Sequence, residues 1–239
     1  TSLFDTVAMS LVSFMRLVAQ FITIPLFSRL LSPTDYGMIA LAMPFVLFAM
    51  MLADAGIAVS LVRTPASEKT VWSTSFWLNV ALGACMALLI AAIAPVAAWV
   101  FEEQRLSPIV MALSAAVLIQ AVGSVPGASL QQQQRFRLMA IIEIIALLLG
   151  IGTAVTVALI GGGAWALVWQ QLVFYACRVV LCFVFSGFRP LLVFQLVEAK
   201  EHLHFSKNVL SVNVIWFFTR AMDNFIIGKV LGAAAVGVY

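Results

Sequence analysis

The sequence predicts an all-α polytopic membrane protein, and three observations support this prediction. First, 64% of the 239 residues are hydrophobic and only 10% are charged, with a mean hydropathy of +1.10. Soluble domains carry about 45–50% apolar and about 25% charged residues. Second, apolar runs long enough to cross a bilayer follow one another along the chain. Third, basic residues concentrate in alternate loops between these runs, as they do in the cytoplasmic loops of membrane proteins.

Seven apolar segments reach the ~20 residues that a helix needs to cross the hydrocarbon core. They cover residues 6–31, 37–62, 72–100, 108–130, 138–160, 163–187 and 206–231. Before the second segment, Pro33 predicts a helix start, and Ser32 or Asp35 is a suitable cap. Between the fifth and sixth segments, the three glycines at 161–163 predict a tight turn, because glycine readily adopts positive φ.

The distribution of lysine and arginine predicts that the N-terminus lies in the cytoplasm. With this orientation, seven basic residues fall in cytoplasmic loops and three fall in outer loops or ends. The cytoplasmic set is Arg63, Lys69, Arg135, Arg137, Arg189, Lys200 and Lys207, and the outer set is Arg29, Arg105 and Lys229. The formal net charge of +3 is therefore interpreted as a topology signal, and no nucleic-acid partner is expected.

Charged and amide side chains inside the predicted spans are the candidate site residues. A lone charge at the centre of a membrane helix costs about 2.5–3.5 kcal/mol. The charged residues are Arg16, Arg178, Arg220, Asp54, Glu143 and Asp223, and the amides are Asn79 and Asn224.

Two interpretations of these side chains stay open. In the first, they pair with one another or bond between helices and only hold the bundle together. In the second, they line a cavity in which the three arginines and two asparagines bind an anionic, sugar-bearing substrate. The three carboxylates would then couple transport to protons or sodium ions, because a desolvated carboxylate beside an arginine can change its protonation.

Chemistry other than transport has little support in the sequence. The three cysteines, Cys85, Cys177 and Cys182, lie in apolar runs without the spacing of metal ligands. An integral-membrane enzyme would need a base or nucleophile in a loop, and the candidates are Glu102 with Glu103 and His202 with His204. Neither pair has a convincing partner. We therefore expect no catalytic residue, no metal and no cofactor.

A weak internal repeat suggests that the seventh span opens a second bundle. Residues 29–37 and 229–237 each end a span with a basic residue, followed by a leucine two positions on and a glycine eight positions on. Transporters are often built from such repeated halves. We therefore expect the chain to be a fragment of a protein of roughly twice its length.

Several stretches of the chain resemble the bacterial polysaccharide flippases, in the expected order along the sequence. They are FSRLLSPTDYG at 27–37, DAGI at 54–57, LVR at 61–63, QRFRLMA at 134–140, DNFIIGKVLG at 223–232 and GVY at 237–239. The resemblance implies a fold like that of the multidrug and toxin extrusion (MATE) transporters, with two six-helix bundles around a central cavity. It also implies that a lipid-linked oligosaccharide is flipped across the bacterial inner membrane.

The resemblance sets the expected domain boundaries. Residues 1–187 would form the N-terminal six-helix bundle, 188–205 a cytoplasmic linker, and 206–239 the first helix of the second bundle. The expected partners are the lipid-linked oligosaccharide, membrane lipids, a coupling proton or sodium ion, and other polysaccharide-assembly proteins. A small-molecule or drug antiporter of the same fold is the alternative, and an integral-membrane enzyme of polysaccharide assembly is less favoured.

Overall fold

The structure, a computed structural model, describes residue 27 and residues 30–54, 56–62 and 68–192. All its regular elements in these ranges are helices. They are α1 (Pro33–Asp54), α2 (Ile57–Leu61), α3 (Lys69–Val100), α4 (Leu106–Gln132), α5 (Phe136–Leu159) and α6 (Trp165–Ser186). Five of them, all except α2, are long and apolar enough to cross a membrane. The prediction of an all-α polytopic membrane protein is confirmed.

Four predicted spans agree closely with α3, α4, α5 and α6, whose ends differ from the prediction by three residues or fewer. The prediction of one continuous helix over 37–62 is wrong. Helix α1 ends at Asp54, Gly56 has a φ of +76°, and the short helix α2 begins at Ile57. Hydropathy averaged over the segment did not reveal this break, because apolar residues resume directly after Asp54 and Gly56. The predicted spans 6–31 and 206–231, apart from residues 27, 30 and 31, lie outside the described residues, as does most of the predicted linker.

The predicted cap of α1 is present. The backbone N–H and the Oγ of Ser32 both donate to Asp35 Oδ2, at 3.1 and 2.7 Å, and the backbone N–H of Asp35 donates back to Ser32 Oγ at 3.2 Å. This reciprocal arrangement is a capping box with Asp at the third helical position. Pro33 occupies the first helical position, where its missing N–H costs nothing.

Helix α4 is the centre of the described bundle. It contacts α1, α2, α3, α5 and α6, whereas α5 packs mainly against α6 and α1 packs against α3 and α4. Small residues allow close approach at these contacts, since a Cβ placed on Gly83 of α3 would overlap the Cβ of Ala121 in α4. Large apolar side chains such as Leu88, Leu148 and Val184 are exposed on the outside, where lipid would cover them.

The connections between helices alternate between the two ends of the bundle. At one end, Asp35, Arg105 and the glycines at 161–163 line a common pocket. Gly161 and Gly163 have φ values of +82° and +51°, which confirms the predicted turn. At the other end, Gln133 Nε2 donates to the carbonyl of Ser186 at 3.3 Å. Such an up-and-down arrangement is what successive membrane spans require.

Candidate substrate site

A cavity of about 430 Å³ lined by charged, amide, apolar and aromatic residues lies between α5 and α6 and is bordered by α4. We call it the Arg178 cavity. Its lining residues are Gln120, Glu143, Leu147, Gly150, Gln170, Gln171, Phe174, Tyr175 and Arg178. Helical spacing explains the set, because residues three or four positions apart share one face of a helix. Glu143, Leu147 and Gly150 follow this spacing on α5, and Gln171, Phe174 and Arg178 follow it on α6.

Arg178 joins three helices inside this cavity. Its Nε lies 3.6 Å from Glu143 Oε2 of α5, and its Nη1 donates to Gln120 Oε1 of α4 at 3.3 Å. The Arg178 and Glu143 side chains remain 32% and 17% exposed, so both border open space. A guanidinium carries five N–H donors in a planar fork. The two contacts therefore leave donors for an anionic ligand such as a phosphate.

The backbone also shapes the cavity. A Cβ placed on Gly150 would lie 3.0 Å from the carbonyl oxygen of Gln170, so α5 and α6 approach closely at this level. The long side chains of Gln170, Phe174 and Tyr175 then border the space beside this contact. The cavity thus combines a charge pair, neutral amides and aromatic rings, which together suit a ligand with charged and sugar-like parts.

The other predicted site residues that the structure describes lie away from this cavity. Asn79 is fully buried between α3 and α4, and its Nδ2 donates to the carbonyl of Ala121 at 2.9 Å. Asp54, at the end of α1, accepts a hydrogen bond from Ser124 Oγ of α4. The remaining candidates, Arg16, Arg220, Asp223 and Asn224, lie outside the described residues.

Sequence reasoning missed several polar residues of the Arg178 cavity. Gln120 stands alone in an apolar run, and Gln170 with Gln171 interrupts another. An uncharged amide inside a predicted span was the available signal. For Gln170 and Gln171, a position two turns before Arg178 on α6 would have strengthened it. Tyr175 carried no such signal, because aromatic residues are common in membrane helices.

The known relatives of the chain point to one family. Residues 26–239 match the model of a family described as polysaccharide biosynthesis protein. The succinoglycan biosynthesis transport protein ExoT of Rhizobium meliloti is 29% identical over 220 residues, which cover 92% of this chain and 44% of ExoT. No solved structure matches the chain significantly.

Two further relatives have similar coverage. The teichuronic acid biosynthesis protein TuaB of Bacillus subtilis is 24% identical over 93% of the chain and 46% of TuaB. The lipopolysaccharide biosynthesis protein WzxC of Escherichia coli is 25% identical over 89% of the chain and 44% of WzxC. The chain thus spans about half the length of these relatives. Since the family model covers nearly all of the sequence, this multi-pass membrane chain belongs to the polysaccharide biosynthesis protein family, as its resemblance to the flippases predicted.

Proposed function

We propose that the protein flips a lipid-linked oligosaccharide across the bacterial inner membrane by alternating access, and that it is a transporter rather than an enzyme. This chain would supply the N-terminal bundle, residues 1–187, and the first helix of a second bundle after the linker at 188–205. The carrying observation is Arg178 in an open cavity between three membrane helices. Membership of the polysaccharide biosynthesis protein family and the similarity to ExoT, a succinoglycan biosynthesis transport protein, support the proposal.

The chemistry of the Arg178 cavity suits such a substrate. The guanidinium would bind the phosphate that links lipid and sugar, because its fork of donors matches phosphate oxygens. The amides of Gln120 and Gln171 and the ring of Tyr175 would contact sugar hydroxyls and sugar faces. Arg16, Arg220 and Asn224 remain further candidates for substrate contacts, whereas Asn79 is buried between α3 and α4 and is tested separately below.

Glu143 is the coupling candidate that lies in this cavity. Its carboxylate is paired with Arg178, so an arriving phosphate competes with it for the guanidinium. Protonation of Glu143, or its binding of a sodium ion, would release Arg178 for the substrate. Transport would then require the coupling ion to be exchanged in each cycle. Two further coupling candidates remain. Asp54 lies outside the cavity, and Asp223 lies outside the described residues.

The proposal is tested by substituting Arg178 in the full-length gene and measuring surface polysaccharide. We expect Arg178→Gln to lower export by about tenfold or more, because a charge-assisted phosphate contact contributes about 1.5–3 kcal/mol. Arg178→Lys keeps the charge without the fork and should fall between Arg178→Gln and the wild type. Arg137→Gln, which removes an exposed arginine that does not line the cavity, is the matched control. Wild-type export by Arg178→Gln at normal protein level would refute the proposed role of Arg178.

A small-molecule antiporter is the second candidate function, and one observation favours it. Glu143 lies in the cavity with Phe174 and Tyr175, and a carboxylate with aromatic rings also suits an organic cation. A cationic drug would be repelled by Arg178, so Arg178→Gln should then raise drug resistance and leave surface polysaccharide unchanged. The same set of strains therefore separates the two functions.

We also propose the inner membrane as the location and a cytoplasmic N-terminus. The up-and-down bundle places the loops at 101–105 and 160–164 at one end and the loop at 133–135 at the other. Arg135 lies in the loop at 133–135, and Arg137 lies in the first turn of α5. These two basic residues support a cytoplasmic position for that end of the bundle.

A further inference from the structure

A second cavity of about 430 Å³ lies at the end of the bundle that we assign to the cytoplasm. It lies where α3 begins and where α4 and α6 end, and the segment that follows α6 borders it. We call it the end cavity and define it by Lys69, Ser73, Ser129, Gln133 and Arg189. It shares no lining residue with the Arg178 cavity, so it belongs to a different place in the molecule.

Among the described residues, the lining of the end cavity contains two positive charges and no carboxylate. Lys69 and Arg189 both line it, both are exposed, and neither forms an ion pair with a described residue. No carboxylate lines it within the part of the chain that the structure describes. Glu68 precedes Lys69 but is not a lining residue, and its side chain makes no capping bond to α3. The positive end of the 32-residue helix α3 therefore adds to the field of the two cations.

The wall of the end cavity is fixed by hydrogen bonds. The backbone N–H of Leu191 donates to Ser73 Oγ at 3.0 Å, and Trp77 Nε1 donates to the carbonyl of Leu191 at 2.9 Å. These bonds hold the segment after α6 against α3. Phe188 packs on Trp72 with ring centroids 6.4 Å apart. Arg189 lies between these fixed points, so the backbone beneath it is held against the bundle.

Neutral hydrogen-bonding groups complete the cavity. Gln133 Nε2 donates to Ser129 Oγ at 3.1 Å, which leaves the Ser129 hydroxyl hydrogen available for an acceptor. Phosphate oxygens accept bonds from hydroxyls as well as from lysine and arginine. Two cations and a hydroxyl donor, with no lining carboxylate in the part of the chain that the structure describes, indicate an anionic, oxygen-rich ligand.

The surroundings indicate that this ligand is part of a lipid. Leu191 and Leu192, directly after Arg189, are 45% and 90% exposed, and they lie at an end of helices that span the membrane. Apolar side chains exposed at this level are suited to the headgroup and acyl-chain boundary, where basic side chains also attract anionic lipids. We propose that the end cavity binds the phosphate of an anionic lipid headgroup. This proposal does not depend on the proposed transport function, because it uses only the membrane position of the bundle.

The test measures phosphatidylglycerol bound to the purified full-length protein by native mass spectrometry. Lys69→Gln with Arg189→Gln removes both cations, and we expect at least about tenfold weaker binding, since each lost charge-assisted contact contributes about 1.5–3 kcal/mol. The matched control, Arg105→Gln with Arg137→Gln, removes the same charge from exposed arginines elsewhere and should bind as the wild type does. Lys69→Arg with Arg189→Lys keeps both charges and should retain most of the binding.

Three results would overturn the proposal. Equal phosphatidylglycerol binding by the wild type and the Lys69→Gln, Arg189→Gln variant would show that the end cavity is not the site. An equal loss in the control variant would show a general effect of net charge. Displacement of phosphatidylglycerol by inorganic phosphate at millimolar concentration would assign the cavity to a soluble phosphate. Circular dichroism and gel filtration verify that each variant is folded. If the Lys69→Gln, Arg189→Gln variant does not fold, the Lys69→Arg, Arg189→Lys variant still provides a binding measurement.

Discussion

Two groups of polar side chains within the membrane helices differ in the space around them. Arg178 and Glu143 border a cavity of about 430 Å³ and remain partly exposed. Asn79 is fully buried where α3 meets α4, and one turn along, Gly83 has no room for a Cβ against Ala121. Helix α4 supplies both places through consecutive residues, Gln120 toward the cavity and Ala121 toward α3. The volumes of the neighbouring side chains therefore determine whether a polar residue in a membrane helix lines a cavity or bonds directly to the next helix.

The neighbours explain the difference. Beside Asn79 the facing residues are small, so the two backbones approach closely and one amide bonds directly to a carbonyl. Beside Arg178 the facing residues are long or aromatic, and the helices enclose space that these side chains only partly fill. Asp54 resembles Asn79 more than Arg178, because it accepts a bond from Ser124 of the neighbouring helix and does not line the Arg178 cavity.

The largest expected effect tests whether the Arg178–Glu143 pair is more than a link between helices. Arg178→Met or Glu143→Leu alone leaves an unpaired charge and should lower the free energy of unfolding by about 2–3 kcal/mol. The double variant replaces both charges and should recover most of this loss. Unfolding in mixed micelles and surface polysaccharide export are measured on the same three variants of the full-length protein.

Export separates the two interpretations of the pair. If Arg178 binds substrate, export is lost in the double variant although its stability has returned. If the pair only links α5 to α6, the double variant exports normally, and the contrast between the two polar groups disappears. In either single variant, a loss of export could result from lower stability. The double variant removes this ambiguity because its stability is restored.

The second prediction tests the close approach of α3 and α4. Gly83→Ala should lower the free energy of unfolding by about 1–3 kcal/mol, because the added methyl group overlaps Ala121 and the helices must separate. The matched control is Gly152→Ala on α5, where no atom lies within 4 Å of an added Cβ. There we expect no loss and a gain of up to about 1 kcal/mol from helix propensity. Equal stability of the two variants would contradict the close packing at Gly83.

The sequence predicted the membrane helices well, for a physical reason. Each of the helices α3 to α6 must bury its backbone polar groups in lipid over about 30 Å, and this requirement is visible as length and composition. The cap at Ser32 and the turn at 161–163 were also visible, because both depend on local chemistry. The break after Asp54 was not, since apolar residues resume directly after Gly56 and hydropathy averaged over the segment stays high despite Asp54.

The candidate site was only partly predictable, because sequence shows which residues are polar but not which helices meet. Arg178 and Glu143 were both identified, yet their pairing depends on the packing of α5 against α6. Gln120 enters the site only because α4 lies at the centre of the bundle. Asn79 was grouped with them by residue type, although it lies on the face of α3 that packs against α4.

The smallest expected effect concerns Asn79. Asn79→Ala removes the bond to the carbonyl of Ala121, and interhelical bonds in membranes contribute about 0.6 kcal/mol on average. Asn79 Oδ1 is buried without a partner among the described residues, so losing it offsets part of this cost. We therefore expect the free energy of unfolding to fall by less than about 1 kcal/mol and export per folded molecule to stay at the wild-type level. A clear loss of export with unchanged stability would instead place Asn79 in the substrate path, and its unpaired Oδ1 would then be the atom that accepts a bond from the substrate.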